Sequence, residues 1–154
     1  MHEMEEWSWM GDLILALKGG TRTEIGEGAP EDEIRKLENE LGLSFPATFV
    51  QFLREFDGGQ FKFVRMHRIT ENGAGVLDFR ELLEQSCEWI PEVEDNKLLP
   101  FGDDYAGNTY CFNLEKRVGD EYEIVQWNHE HSDRPPKHIA DSFPEFVEKE
   151  FFYY

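Results

Sequence analysis

The residues best equipped for chemistry are His129, Glu130, His131 and Asp133. If the chain beyond Trp127 stays extended, His129 and His131 point to one side, as alternate strand residues do. Imidazole and carboxylate are donors that zinc accepts. A metal-dependent hydrolase would still need a third convergent ligand and an activated water. His138 supplies that ligand only if the Pro135–Pro136 segment folds back. Ordinary solvated loop groups explain the same residues.

Nucleophiles are no better placed. Cys87 and Cys111 are the two cysteines, fall at a helix end and in a strand, and lie in no glycine-bounded elbow. Without CxxC spacing they read as a buried, reduced pair. Ser132 has His131 and Asp133 as chain neighbours, which does not make a triad. Gly102 to Gly107 lacks the lysine and the spacing of a phosphate loop, and its two aspartates repel phosphate. No catalytic residue, metal ligand or cofactor is assigned, and the chain reads as a non-enzyme.

Charge points elsewhere. Fifteen Lys and Arg against 33 Asp and Glu give a net charge of −18. That field disfavours nucleic acid and anionic membranes and steers cationic partners inward. Asp103, Asp104 and Tyr105 fall in a turn between strands, and Asp120, Glu121 and Glu123 cluster around a hairpin, positions that present carboxylates without burying them. With Tyr105 and Trp127 as aromatic anchors, these residues form the expected partner surface. The competing reading makes the acids solvated turn residues and Trp127 core.

These groups need a scaffold, and 154 residues with 13 Phe suffice for one domain, 1–154, with one core. Met10, Leu13, Ile14 and Leu17 predict a helix over about 7–18, stopped by Gly19-Gly20. The apolar run Leu13 to Leu17 is too short for a membrane span or a signal core, so a cytoplasmic location is expected. Pro30 followed by Glu31, Asp32 and Glu33 starts a helix that Gly42 ends. Phe45-Pro46 starts a second, carrying Phe49, Phe52, Leu53 and Phe56 and closed by Gly58-Gly59. Gln60 to Ile69 enters a sheet, and Asp78 with Glu81 forms a capping box for a helix closed by Pro91. Leu98 to Phe101, Thr109 to Leu114 and Glu121 to Trp127 read as strands, the last two an antiparallel pair turning over Lys116 to Asp120. Pro135-Pro136 breaks the chain before a terminal helix capped by Ser142 and Glu145. The aromatic tail Phe151 to Tyr154 either tucks into the core or forms a small sticky patch.

The series Pro30, Ile34, Leu37-Glu38, Leu41-Gly42, Phe45-Pro46, Phe49 and Phe52-Leu53, closing at Asp57-Gly58-Gly59, resembles the opening signature of the SUKH superfamily, the Smi/Knr-like proteins. Leu99 to Asp103, Gly107-Asn108 with Tyr110 and Phe112, and Ala140, Ser142, Phe143 and Phe146 are similar to its central and closing segments. Asn108 departs from the acidic residue that the family more often carries there. The likeness covers about 30–151. It implies an α+β fold with a mixed or antiparallel sheet flanked by helices. Bacterial members neutralise polymorphic toxins, often nucleases, by direct binding. The resemblance therefore implies an immunity protein that binds a toxin, and the net charge of −18 points to a basic one. The alternative is a regulatory or scaffold module for a signalling partner, as in fungal relatives.

Overall fold

The computed structural model describes residues 28–61, 64–70, 78–104, 106–131 and 134–152. The helix expected over 7–18, Tyr105, Asp133 and the last two aromatics lie outside them. The side chains of Phe151 and Phe152 also lie outside them.

The first two helices form as the sequence requires. Helix α1, Glu31–Leu41, has its three acids in the first turn and buries Ile34 and Leu37. Gly42 then adopts φ +71, and the Leu43 and Gly42 N–H groups reach the Glu38 and Asn39 carbonyls in a Schellman end. The Phe45 N–H donates to the Glu38 carboxylate at 2.7 Å, setting the bend into α2, Ala47–Glu55. The glycines play a different part from the one expected. Helix α2 stops at Glu55, and Gly58 (φ +82) carries the chain into the sheet, where a Cβ would meet the Arg68 N at 2.8 Å and the Met66 O at 2.9 Å. Beside it, buried Asp57 accepts the Ile69 and Thr70 N–H groups and the Thr70 hydroxyl.

Six strands pair in chain order, each antiparallel to the next: β1 Gly59–Phe61, β2 Val64–Met66, β3 Leu98–Asp103, β4 Thr109–Val118, β5 Glu121–Trp127 and β6 Lys137–Ala140. The sheet is thus wholly antiparallel among the described residues, and the fold is α+β. Between β2 and β3 run α3, Phe79–Trp89, and α4, Pro91–Glu94. Pro91 opens that short helix rather than ending a segment, its missing N–H costing nothing at a first helical position. The Asp78 cap is taken up by the Arg80 N–H, not that of Glu81. Strand β4 runs on to Val118, so the turn narrows to Gly119 and Asp120. Strand β6 was not foreseen, because the proline pair hid a four-residue edge strand. The described residues end in α5, Phe143–Val147, capped by the Ser142 hydroxyl at the Glu145 N–H, and a wider turn over Glu148–Phe152.

Alternation sends Tyr110 and Phe112 of β4, and Tyr122 and Ile124 of β5, to one face, where α1, α2 and α5 cover them. Phe49 is at the centre: its ring centroid lies 5.1 Å from those of Phe45, Phe112 and Phe143, and 5.9 Å from that of Phe101. The opposite face is smaller. Cys111, Val125, Trp127 and Leu98 meet Ile90 and Val93 there, under α3 and α4. Phe49→Ala removes a fully buried ring from the crossing of three helices and the sheet, so we expect a loss of about 3–5 kcal/mol, read as a lower urea midpoint.

Candidate binding cleft

Strand β3 determines what the smaller face displays. Leu99 pairs with Phe112 and Pro100 with Cys111, but the register then shifts so that Gly102 meets Tyr110 and Asp103 meets Thr109. Phe101 is the extra residue of this bulge, and it stays in the phenylalanine core. The bulge therefore turns Asp103 away from that core and onto the Cys111–Trp127 face. Gly102 must lack a side chain, since a Cβ would stand 2.7 Å from the Arg65 O. Asp103 Oδ2 accepts from Arg65 Nε and Nη2 at 3.2 and 3.0 Å, and lies 3.0 Å from His67 Nε2. The exposed turn expected to hold Asp103 is thus a strand, and its side chain is only 11% exposed.

Above this network lies a cleft of about 460 Å³, lined by Arg65, Leu82, Gln85, Trp89, Asp103, Gly107, Thr109, Trp127 and His129. One wall is α3, where Leu82, Gln85 and Trp89 share a helical stripe. The other is the β3–β4 loop, whose shape Asp104 fixes by accepting the Ala106 and Asn108 N–H groups and the side-chain amides of Asn108 and Gln126. Asn108 in turn accepts the His129 N–H at 3.3 Å. Gly107 has φ +92, and a Cβ there would press on the His129 ring at 2.9 Å. The structural reading of Gly107 and Asn108 is thus the one their contacts support. Trp89 is 55% exposed at the mouth, while Trp127 is buried as the inner wall.

The expected hairpin acids turn inward as well. Asp120 Oδ2 accepts the Ala47 N–H at 2.5 Å, capping α2 from across the fold, and Oδ1 pairs with Arg117 at 3.1 Å. Glu121 accepts from the Thr48 hydroxyl (2.7 Å) and the Phe143 N–H (3.0 Å), tying α2 and α5 to β5. Burial raises its carboxyl from the ordinary value despite those bonds. Burial likewise opposes charge on Glu123, but Asn113, His138 and Lys116 outweigh it and hold that carboxyl lower than usual. Its side chain is 12% exposed. The expected patch therefore does not come together as a free acidic surface: of its five acids only Asp120 is well exposed, and it serves as a cap.

Free charge lies instead on α3 and α4, which sequence reasoning passed over. Glu81, Glu84 and Glu88 form one exposed stripe, continued by Glu92, Glu94 and Asp95, and among the described residues none of the six makes an ion pair. Glu84 and Glu94 both lie close enough to Cys87 to raise its thiol, after burial, from its ordinary value. A signal was present: in Phe79–Trp89 the acids recur at helical spacing, and Trp89 breaks the polar side.

His129 to His131 form a 3-10 turn rather than an extended stretch, so the two histidines are not aligned as strand neighbours. Among the described residues the one group bringing three such donors together is His138, Asp141 and Glu145, at the surface. Two of the three are already engaged outside the group: His138 Nδ1 lies 2.6 Å from Glu123, and Glu145 stands 3.7 Å from Lys149 Nζ. Both cysteines are free, and burial pushes the Cys111 thiol far up. At about pH 8 a disulfide reagent should modify Cys87 more slowly than a free thiol and leave Cys111 untouched until denaturant is added. Rapid native labelling of Cys111 would contradict its placement.

Among the described residues no helix is long and apolar enough to cross a membrane. No curated relative matches the chain. The model of the SMI1 / KNR4 family (SUKH-1) matches residues 28–149, and the chain belongs to that family.

Proposed function

We propose that this chain is a cytoplasmic, single-domain immunity protein that neutralises a basic toxin by direct binding and turns over no substrate. Membership of the SUKH-1 family supports the class of function, and the five carboxylates of α3 and α4 with Asp95 just beyond, which make no ion pair among the described residues, carry the reading of the partner's charge. Carboxylates that already cap a helix or hold a strand have little left to offer a partner. Those along α3 and α4 make no internal side-chain bond among the described residues and can pair with Lys or Arg across an interface. They lie beside the half-exposed Trp89, the combination of charged rim and aromatic centre that tight interfaces use. The partner surface proposed from sequence thus moves from Asp103, Asp104, Tyr105, Asp120, Glu121, Glu123 and Trp127 to the α3–α4 face, with Trp127 retained as the inner wall of the adjoining cleft.

Co-expression with the toxin domain encoded directly upstream tests this. Growth should be rescued by the wild-type chain, and the purified complex should weaken as salt rises. The double variant Glu84→Lys, Glu88→Lys should fold normally, bind about 10–100-fold more weakly and show a shallower salt dependence. Equal rescue and affinity for that variant would move the interface off α3.

A further inference from the structure

The cleft between α3 and the β3–β4 loop does not share the chemistry of the acidic face beside it. Its accessible lining is mainly apolar, supplied by Leu82, Trp89, Trp127 and Thr109. Of the ionisable groups that line it, Arg65 bonds Asp103, which also meets the buried His67, and His129 is held by Asn108. None of the exposed glutamates of α3 is among the described residues that line it. A Lys or Arg side chain pushed into the cleft would lose its hydration without meeting an available carboxylate, which is costly. A large apolar side chain would cover Trp89 and meet Trp127 with no such cost. The walls are also set in advance: Asp104 and Asn108 hold the loop, and the sheet carries Trp127 and Thr109, so little ordering is left for binding to supply.

Resting on the reading above, we infer that the cleft receives one large apolar side chain, aromatic or branched aliphatic, from a basic segment of the partner. The acidic stripe governs approach and the cleft governs residence. Charge complementarity on α3 and α4 indicates a segment rich in Lys and Arg, and the apolar lining selects the residue between them.

The test of the cleft needs no partner. Proton–nitrogen correlation spectra are recorded while N-acetyl-phenylalaninamide, and separately N-acetyl-lysinamide, is titrated into the full chain. The phenylalanine amide should produce saturable shifts at the Trp89 and Trp127 indole N–H groups and the Gly107 amide, with a dissociation constant of about 1–10 mM, in keeping with so small a ligand. The lysine amide should produce none. Gln85→Trp, which fills the mouth from an exposed position, should abolish the shifts, and Trp89→Ala should weaken binding several-fold. No saturable shift, or equal response to both amides, overturns the inference.

With the toxin domain in hand, Trp89→Ala should speed dissociation about tenfold or more and leave the salt dependence of association unchanged. If the complex forms but dissociates at the wild-type rate in Trp89→Ala and Gln85→Trp, the cleft is not used and the inference fails while the immunity reading stands. If the phenylalanine amide binds but no toxin complex forms, the immunity reading fails and the side-chain site remains.

Discussion

Phe49 lies where α2 crosses the sheet, and five other rings surround it: Phe45, Phe52, Phe101, Phe112 and Phe143. They come from the α1–α2 bend, α2 itself, two strands and the terminal helix, so one side chain joins segments far apart in the chain. Four of these contacts are edge-on or tilted and the Phe52 ring stacks at 6.4 Å, arrangements that suit the charge distribution of aromatic rings and fix orientation as well as burial. This packing commits α1, α2 and α5 to one face of the sheet. The other face is left to α3 and α4, which are too short to cover all of it. The cleft is the uncovered remainder.

Charge is divided in the same way. A chain of net charge −18 must place many carboxylates close together, and the fold sorts them into two populations. Asp57, Asp103, Asp104, Asp120, Glu121 and Glu123 replace backbone and side-chain partners that water would otherwise supply. Those on α3 and α4 have no such duty among the described residues. The outward-facing potential comes from the second group, while the first works much as hydrogen-bonded polar residues do elsewhere.

The helices could be read from sequence because their signals are local: Pro30 and three acids at one end of α1, Gly42 at the other, and phenylalanines at helical spacing in α2. The β4–β5 pair was legible from alternation. The partner surface was not, because a carboxylate in a turn looks solvated until the element it caps is known, and the Ala47 N–H that Asp120 caps lies 73 residues away. Asp103 was hidden for another reason. Its direction depends on one bulged residue, and alternation counted along Leu98 to Asp103 gives the wrong face once the count slips at Phe101. Strand β6 lies at an edge and is mostly exposed, so it lacked the apolar alternation that marks its neighbours.

Pairing each strand with its neighbour in sequence has a consequence for assembly. No strand must wait for a distant segment to arrive before it gains a ladder, and the entropy of bringing strand to strand stays small except across the α3–α4 excursion. The long loop is closed elsewhere, where α2 meets the Gly119–Asp120 turn. The sheet can therefore zip up progressively, and the docking of the first two helices is the step that carries the chain's long-range topological cost.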